Sequence, residues 1–172
     1  MIIIRALRES DERSRFSCGD DHLDRFFRSF AGQNQFRHHL GITYVAAEGE
    51  TTLGFATVAP GHLEIDALPA AVRKKLPRYP LPVLRLARLA VDRSFQSQGV
   101  GRQLLRYVLR LALEMDEKFG CAGVVVDAKH GALDYYAGYG FVALDIVEGQ
   151  SDARPRLTSM FLSIRKIRGA SQ

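Results

Sequence analysis

The sequence predicts an α/β domain, and three observations predict it. Seven short apolar or β-branched runs, each of strand length, are spread along the 172 residues. Two longer stretches carry apolar residues at three- and four-residue spacing and read as amphipathic helices. Between Leu89 and Gly101 an apolar strand runs through a polar turn into two glycines that open the second of these helices. With two shorter helical segments, the sum is a central sheet of six to seven strands flanked by about four helices.

Length and composition bound the answer further. A chain of 172 residues buries a sizeable core as one domain, read here as residues 1–164, with a basic C-terminal tail over 165–172 that is expected to fray. Its 47% hydrophobic content is ordinary for a globular protein, and no apolar run approaches the roughly 18 to 20 residues that cross a bilayer, so no membrane partner is expected. Met1 to Leu7 is too short and too soon charged for a secretory signal. Cys18 and Cys121 stand far apart without metal-ligand spacing, which predicts no metal site and no disulfide framework. A cytoplasmic location follows as the expectation. The net charge of +5 favours an acidic partner.

Met1 to Leu7 reads as a strand at a sheet end or buried on both faces. Asp20 or Asp21 then caps a helix in which Leu23, Phe26, Phe27 and Phe30 form one apolar stripe; the helix is expected to reach Phe36 with an interruption at Gly32. Arg25, Arg28, Gln33, Gln35 and Arg37 fall on its other, solvated face. Ile42 to Ala47 and Leu53 to Ala59 flank Glu48-Gly49-Glu50 and pair as a hairpin. Leu68 to Leu76 forms a short helix with Pro69 near its start, and the prolines of residues 76–82 impose an extended connector. Arg73, Lys74, Lys75 and Arg78 beside it read either as a solvated loop or as a phosphate-facing rim.

Val83 to Val91 is the next strand, with Arg85 and Arg88 on opposite faces. From Gly99 to Phe119 the pattern is helical, with Leu104, Val108, Leu111 and Met115 on the apolar stripe and Arg102, Arg106 and Arg110 on a solvated row. Gly120 ends that helix and Ala122 to Asp127 is a buried strand. A brief helix over Gly131 to Gly138 and strands over Gly140 to Leu144 and Leu157 to Ile164 complete the chain, with a polar loop over Glu148 to Pro155.

A strand, a glycine turn and a helix N-terminus make an anion cradle, because glycine admits a ligand close to the backbone and the first helical N–H groups are free to bind it. Gly101 is followed by Arg102 and Gln103 rather than Lys-Ser/Thr, which disfavours a nucleoside triphosphate. The turn follows a middle strand and lacks a third glycine, which disfavours a dinucleotide. Gln96-Ser97-Gln98-Gly99-Val100-Gly101 matches the Gln/Arg-x-x-Gly-x-Gly/Ala signature of the GNAT N-acetyltransferases, and Asp134-Tyr135-Tyr136-Ala137-Gly138-Tyr139-Gly140-Phe141 resembles that family's aromatic segment. The resemblance extends over the whole chain and is strongest from Val83 to Phe141. The passages HLDRFFRSFAGQNQFR, TLGFATVAPGHLE, LPRYPLPVLRLARLAVDRSFQSQGVG and VVVDAKHGALDYYAGYGF narrow it to the acetyltransferase toxins of toxin–antitoxin pairs. Ala87, where glycine is expected, and Ala137-Gly138, where charged residues are usual, depart from the pattern.

The resemblance implies a GNAT fold, with a mixed, mostly antiparallel sheet splayed at the CoA site. It implies acetyl-CoA as co-substrate, aminoacyl-tRNA as acceptor with block of translation as the outcome, a ribbon-helix-helix antitoxin as partner and a homodimer. The cofactor-binding set is then Leu89, Ala90, Val91, Gln96, Ser97, Gln98, Gly99, Val100, Gly101, Arg102 and Lys129. Arg73, Lys74, Lys75, Arg78 and Arg88 would contact tRNA phosphates.

Tyr136 is the candidate catalytic residue: a phenol of pKa about 10 donates to a departing thiolate without losing its proton in the resting state. Tyr135 and Tyr139 read as core aromatics. Residues 83–91 contain no Asp or Glu, so the strand carries no general base. That favours an α-amine, pKa about 7.7 to 8.0 before esterification lowers it, over a lysine near 10.4. Glu48, Glu64 and Asp92 remain candidate bases through water. A small amine, an antibiotic or a protein N-terminus is the alternative acceptor, and a binding module without catalysis the alternative class.

Overall fold

The computed structural model describes residues 1–144 and 157–170; the polar loop expected over Glu148 to Pro155 lies outside the described residues. Seven strands form one mixed sheet in the order β1-β2-β3-β4-β5-β7-β6, within the six to seven strands expected. They are β1 (Ile3–Ala6), β2 (Ile42–Glu48), β3 (Thr51–Leu63), β4 (Leu81–Val91), β5 (Gly123–Ala128), β6 (Val142–Ala143) and β7 (Thr158–Ser163). The helices are α1 (Asp21–Arg25), α2 (Ala70–Arg73), α3 (Val100–Phe119), α4 (Leu133–Ala137) and α5 (Ile164–Ala170). The chain divides into two compact units, Met1–Ala59 with Leu86–Arg110 and Pro60–Arg85 with Leu111–Gln172.

In the first unit β1 lies antiparallel to β2, pairing Ile3 with Ala47 and Ala6 with Tyr44, and sits at the sheet end as expected. The β2–β3 hairpin turns at Gly49, whose φ of 60° is cheap for glycine; β3 runs four residues further than the apolar pattern reached. Asp20 caps α1, its carboxylate accepting from the His22 and Leu23 N–H groups at 2.9 and 3.1 Å.

Beyond α1 the chain departs from the reading. It continues through π-helical turns at Phe26–Phe30 and Gln33–Arg37, closed by hydrogen bonds five residues long such as His38 N–H to the Gln33 carbonyl. Phe26 and Phe27 of the expected stripe are buried, together with Asp24, Ala31 and Gln35, whereas Phe30 is 40% exposed under the Arg25 guanidinium. Gln35, expected in solvent, is buried: it donates to the Leu7 carbonyl at 3.1 Å and accepts from the Thr43 N–H at 2.9 Å. Arg28 stays exposed, as expected, while its guanidinium donates to the Phe16 carbonyl. Gly32 does not interrupt the winding. A Cβ there would meet the Arg13 guanidinium at 2.9 Å, so the missing side chain makes room for Arg13.

The core of this unit joins Leu7, Phe16, Phe26, Phe27, Val45 and Phe55. Phe27 stacks on Phe55 with centroids 4.5 Å apart and Phe16 meets Phe27 edge-on at 4.8 Å. On α3, Val100, Leu104, Leu105, Val108 and Ala112 are buried, whereas Arg102, Arg106 and Arg110 are exposed, in agreement with their spacing.

In the second unit β7 pairs antiparallel with β5, from Gly123 opposite Ser163 to Ala128 opposite Thr158, and β6 pairs with β7. Pro69 precedes α2 as its N-cap. The strand expected from Val83 starts at Leu81 and tolerates Pro82, whose carbonyl accepts the Ala122 N–H at 2.7 Å. The frayed tail is a correction. Residues 164–170 are helical because Ile167 is 2% exposed and Arg168 pairs with Asp116 at 2.6 Å.

A Cβ at Gly54 in β3 would lie 2.8 Å from the Ala90 carbonyl and 3.1 Å from Leu104. Gly54→Ala therefore forces backbone to shift and should cost about 1 to 3 kcal/mol. Urea unfolding reads this as a lower midpoint at unchanged slope, and an unchanged midpoint would refute the close approach.

Candidate functional site

The glycine turn is built by hydrogen bonds that reach back to the loop preceding α1. After Val91 the Asp92 N–H donates to the Leu53 carbonyl at 2.8 Å, which ends β4 against β3. The Asp92 carboxylate then accepts from the Ser94 N–H at 2.9 Å, capping a short turn, and from the Ser17 N–H at 3.1 Å. The Arg93 N–H returns a bond to the Ser17 carbonyl at 2.8 Å. Gln96 closes the loop: its amide nitrogen donates to the Cys18 and Val91 carbonyls, both at 2.9 Å.

Gln96 is therefore a positioning residue, since both amide hydrogens serve backbone carbonyls. With the turn so held, Ser97 and Gly99 adopt φ of 64° and 84° and the chain enters α3 at Val100. Residues 96–99 are exposed, and a Cβ at Gly99 would meet nothing within 4 Å. The glycine is required by backbone angle, not by crowding. What results is an open, polar turn at the head of a twenty-residue helix, whose first N–H groups have no carbonyl of their own helix to bind. That fits a phosphate or pyrophosphate.

Leu89 and Val91 are half-buried and Ala90 is buried, on a strand without a carboxylate anywhere from Leu81 to Val91. The expected bases fare differently. Asp92 is committed to the two N–H groups above, and Glu48 holds the N-terminal ammonium at 3.0 Å. Glu64 lies in the second unit.

The second unit carries Tyr136, on α4, and Lys129 after β5. Tyr136 is 7% exposed, its ring edge-on to Phe141 at 5.5 Å and to Tyr135 at 5.2 Å. Burial pushes its phenol up to about 12 by penalising the charged form. Tyr135, expected in the core, is 40% exposed and Tyr139 is half-buried. The short helix turns only one of three neighbouring tyrosines inward, and it is the motif residue.

The family model described as an acetyltransferase (GNAT) domain matches residues 39–143, a span that includes both the glycine turn and Tyr136. The chain belongs to the GNAT acetyltransferase family. A tRNA-acetylating toxin of Mycobacterium tuberculosis (strain ATCC 25618 / H37Rv) is 30% identical over 138 residues, covering 80% of this chain and 82% of that protein. The structure of AtaT complexed with acetyl-methionyl-tRNAfMet superposes with a TM-score of 0.86 at 25% identity over 100% of both chains. A tyrosine-to-phenylalanine mutant of KacT superposes with a TM-score of 0.83 at 25% identity over 98% of both.

In this GNAT chain the expected phosphate contacts divide. Arg73, Lys74, Lys75 and Arg78 are exposed around and after α2, in the second unit. Arg88, in the first, stacks its guanidinium 3.7 Å over the Phe26 ring, and burial lowers its pKa from the ordinary value. Arg85 is held by Asp127 at 2.7 Å, which also accepts from the Ser159 hydroxyl at 2.9 Å. Phe16 to Asp20 reads in the sequence as a loop leading into a helix, as it is; nothing in its composition announces that it also braces a turn some 75 residues later, the separation of Ser17 and Asp92.

Gln96→Leu removes both braces while keeping the size of the side chain. At about 0.5 to 1.5 kcal/mol per hydrogen bond it should destabilise the first unit by roughly 1 to 3 kcal/mol and speed amide exchange from Ser17 to Gly99. Unaltered exchange in both loops would show that the latch is dispensable.

Proposed function

We propose that this chain transfers the acetyl group of acetyl-CoA to the α-amino group of an aminoacyl-tRNA and thereby acts as a toxin that blocks translation. The observation that carries the choice of acceptor is the carboxylate-free β4: an amine that is largely neutral near pH 7 to 8 needs no resident base. The likeness to a tRNA-acetylating toxin and to AtaT supports the same acceptor.

Acetyl-CoA supplies the thioester carbonyl and the thiolate leaving group. The turn from Gln96 to Gly101, with Arg102 in the first turn of α3, holds the pyrophosphate through backbone N–H groups, and Gln96 keeps that turn in shape. Backbone N–H groups of Leu89, Ala90 and Val91 orient the thioester carbonyl. Lys129 adds a cation to the donor site. Tyr136 keeps its proton in the resting state at every working pH, because burial raises its pKa; it gives that proton to the departing sulfur as the C–S bond breaks, and the proton lost by the acceptor nitrogen on forming the amide restores the phenol. The solved tyrosine-to-phenylalanine mutants of AtaT and KacT accord with a functional tyrosine in such toxins. Arg73, Lys74, Lys75, Arg78 and Arg88 take tRNA phosphates. This reading takes residues 1–164 as one catalytic domain.

AtaT is also known bound to the C-terminus of its antitoxin AtaR. For this chain we infer an antitoxin of the ribbon-helix-helix class, a homodimer, and the cytoplasm as the place of action, where charged tRNA is found.

Incubation with charged tRNA and labelled acetyl-CoA should label the aminoacyl end. Failure with every charged tRNA would remove the acceptor, and a KM that ignores salt would point to a small amine instead. Tyr136→Phe should lower kcat at least about 100-fold while acetyl-CoA affinity stays within about twofold. Lost binding would make the residue structural. Initial rates of kcat/KM should rise as the acceptor amine loses its proton and then stay level to pH 9.5, because the phenol titrates only near 12. An alkaline fall within that range would assign the proton to another group.

A further inference from the structure

The segment from Glu64 to Pro80 combines a buried side with a charged one. Ala67 and Leu68 enter the core of the second unit with Leu63, Leu81 and Val83, and Ile65, Val72 and Leu76 pack partly against it. What this anchoring leaves outside surrounds a pocket of about 840 Å³, whose polar lining is Glu64, Asp66, Arg73, Lys74, Arg78 and Tyr79. Lys75 is not part of the lining. Among the described residues, no carboxylate pairs with Arg73, Lys74 or Arg78. Tyr79 is 61% exposed, and Pro77 and Pro80 stiffen the backbone on either side of it.

We propose that this pocket holds one or two unpaired nucleotides of an RNA strand, with a base stacked on Tyr79 and phosphates on Arg73, Lys74 and Arg78. The proposal rests on aminoacyl-tRNA as acceptor and deepens it. A duplex offers phosphates on a convex surface and hides the faces of its bases, so it has no use for a concave site with an exposed phenol ring. An unpaired strand has both groups to give: a π-face for the tyrosine and a phosphodiester for the cations. The volume lies within the roughly 300 to 1,000 Å³ of pockets that enclose small organic ligands. Glu64 and Asp66 repel phosphate but accept hydrogen bonds from exocyclic amino groups, which cytosine and adenine carry. The mixed lining therefore selects a nucleotide with its base inside over a bare polyphosphate. Fixing the chain with two prolines reduces the ordering cost of binding.

The test uses the full chain with a fluorescein-labelled unpaired RNA tetranucleotide, ACCA, and a blunt RNA duplex as probes. The tetranucleotide should bind more tightly than the duplex. Tyr79→Ala should weaken it about tenfold, and Tyr79→Phe, which keeps the ring, should restore binding to within about twofold. In turnover, Tyr79→Ala should raise KM for charged tRNA by a similar factor, with kcat and acetyl-CoA affinity little changed. Equal tetranucleotide binding by wild type and Tyr79→Ala overturns the proposal. So does a matching loss of acetyl-CoA affinity, which would give the pocket to the nucleotide end of the donor. If no charged tRNA is acetylated but Tyr79→Ala still loses the tetranucleotide, the pocket stands and the acceptor reading falls.

Discussion

The candidate donor site depends on one side-chain amide. Gln96 ties the end of β4 to the loop before α1, and through these two bonds a turn with two left-handed residues is kept open to solvent. A turn of this kind has little apolar surface with which to hold itself, so its shape must come from hydrogen bonds to neighbouring chain. Asp92 acts in the same sense, ending the strand, capping the next turn and holding Ser17. The helix that follows is then aimed from a rigid start.

Burial sets the chemistry of the other half. Of three tyrosines within five residues, the structure buries the one proposed to carry a proton, and its raised pKa follows from the cost of charging a phenol among rings. β4, in turn, carries no carboxylate from Leu81 to Val91, its charged side chains being Arg85 and Arg88. A strand without a carboxylate and a protonated phenol suit the proposed acceptor, which arrives with its own neutral amine.

Much of this was legible along the chain. Strand positions, the hairpin at Gly49, the cap at Asp20 and the exposed arginine row of α3 all follow from local rules of periodicity and turn chemistry, and each agrees with the structure. The departures have separate causes. A 3.6-residue period puts Phe30 inside and Gln35 outside, whereas the π-helical turns leave Phe30 exposed and let Gln35 satisfy Leu7 and Thr43 in the core. Residues 164–170 were assigned by charge, yet Ile167 and the Arg168–Asp116 pair fold them into a helix.

The sequence by itself determined the fold class, the family and the identity of the motif residues, because these are written in short patterns whose meaning is local. Tertiary structure alone decided what each residue spends its atoms on. Gln96 braces a turn, Asp92 caps, Tyr136 and not Tyr135 is buried, and Tyr79 opens onto a pocket with Glu64 and Asp66. Such roles come from partners distant in the chain, and no spacing along one strand of sequence encodes which distant carbonyl a side chain will meet.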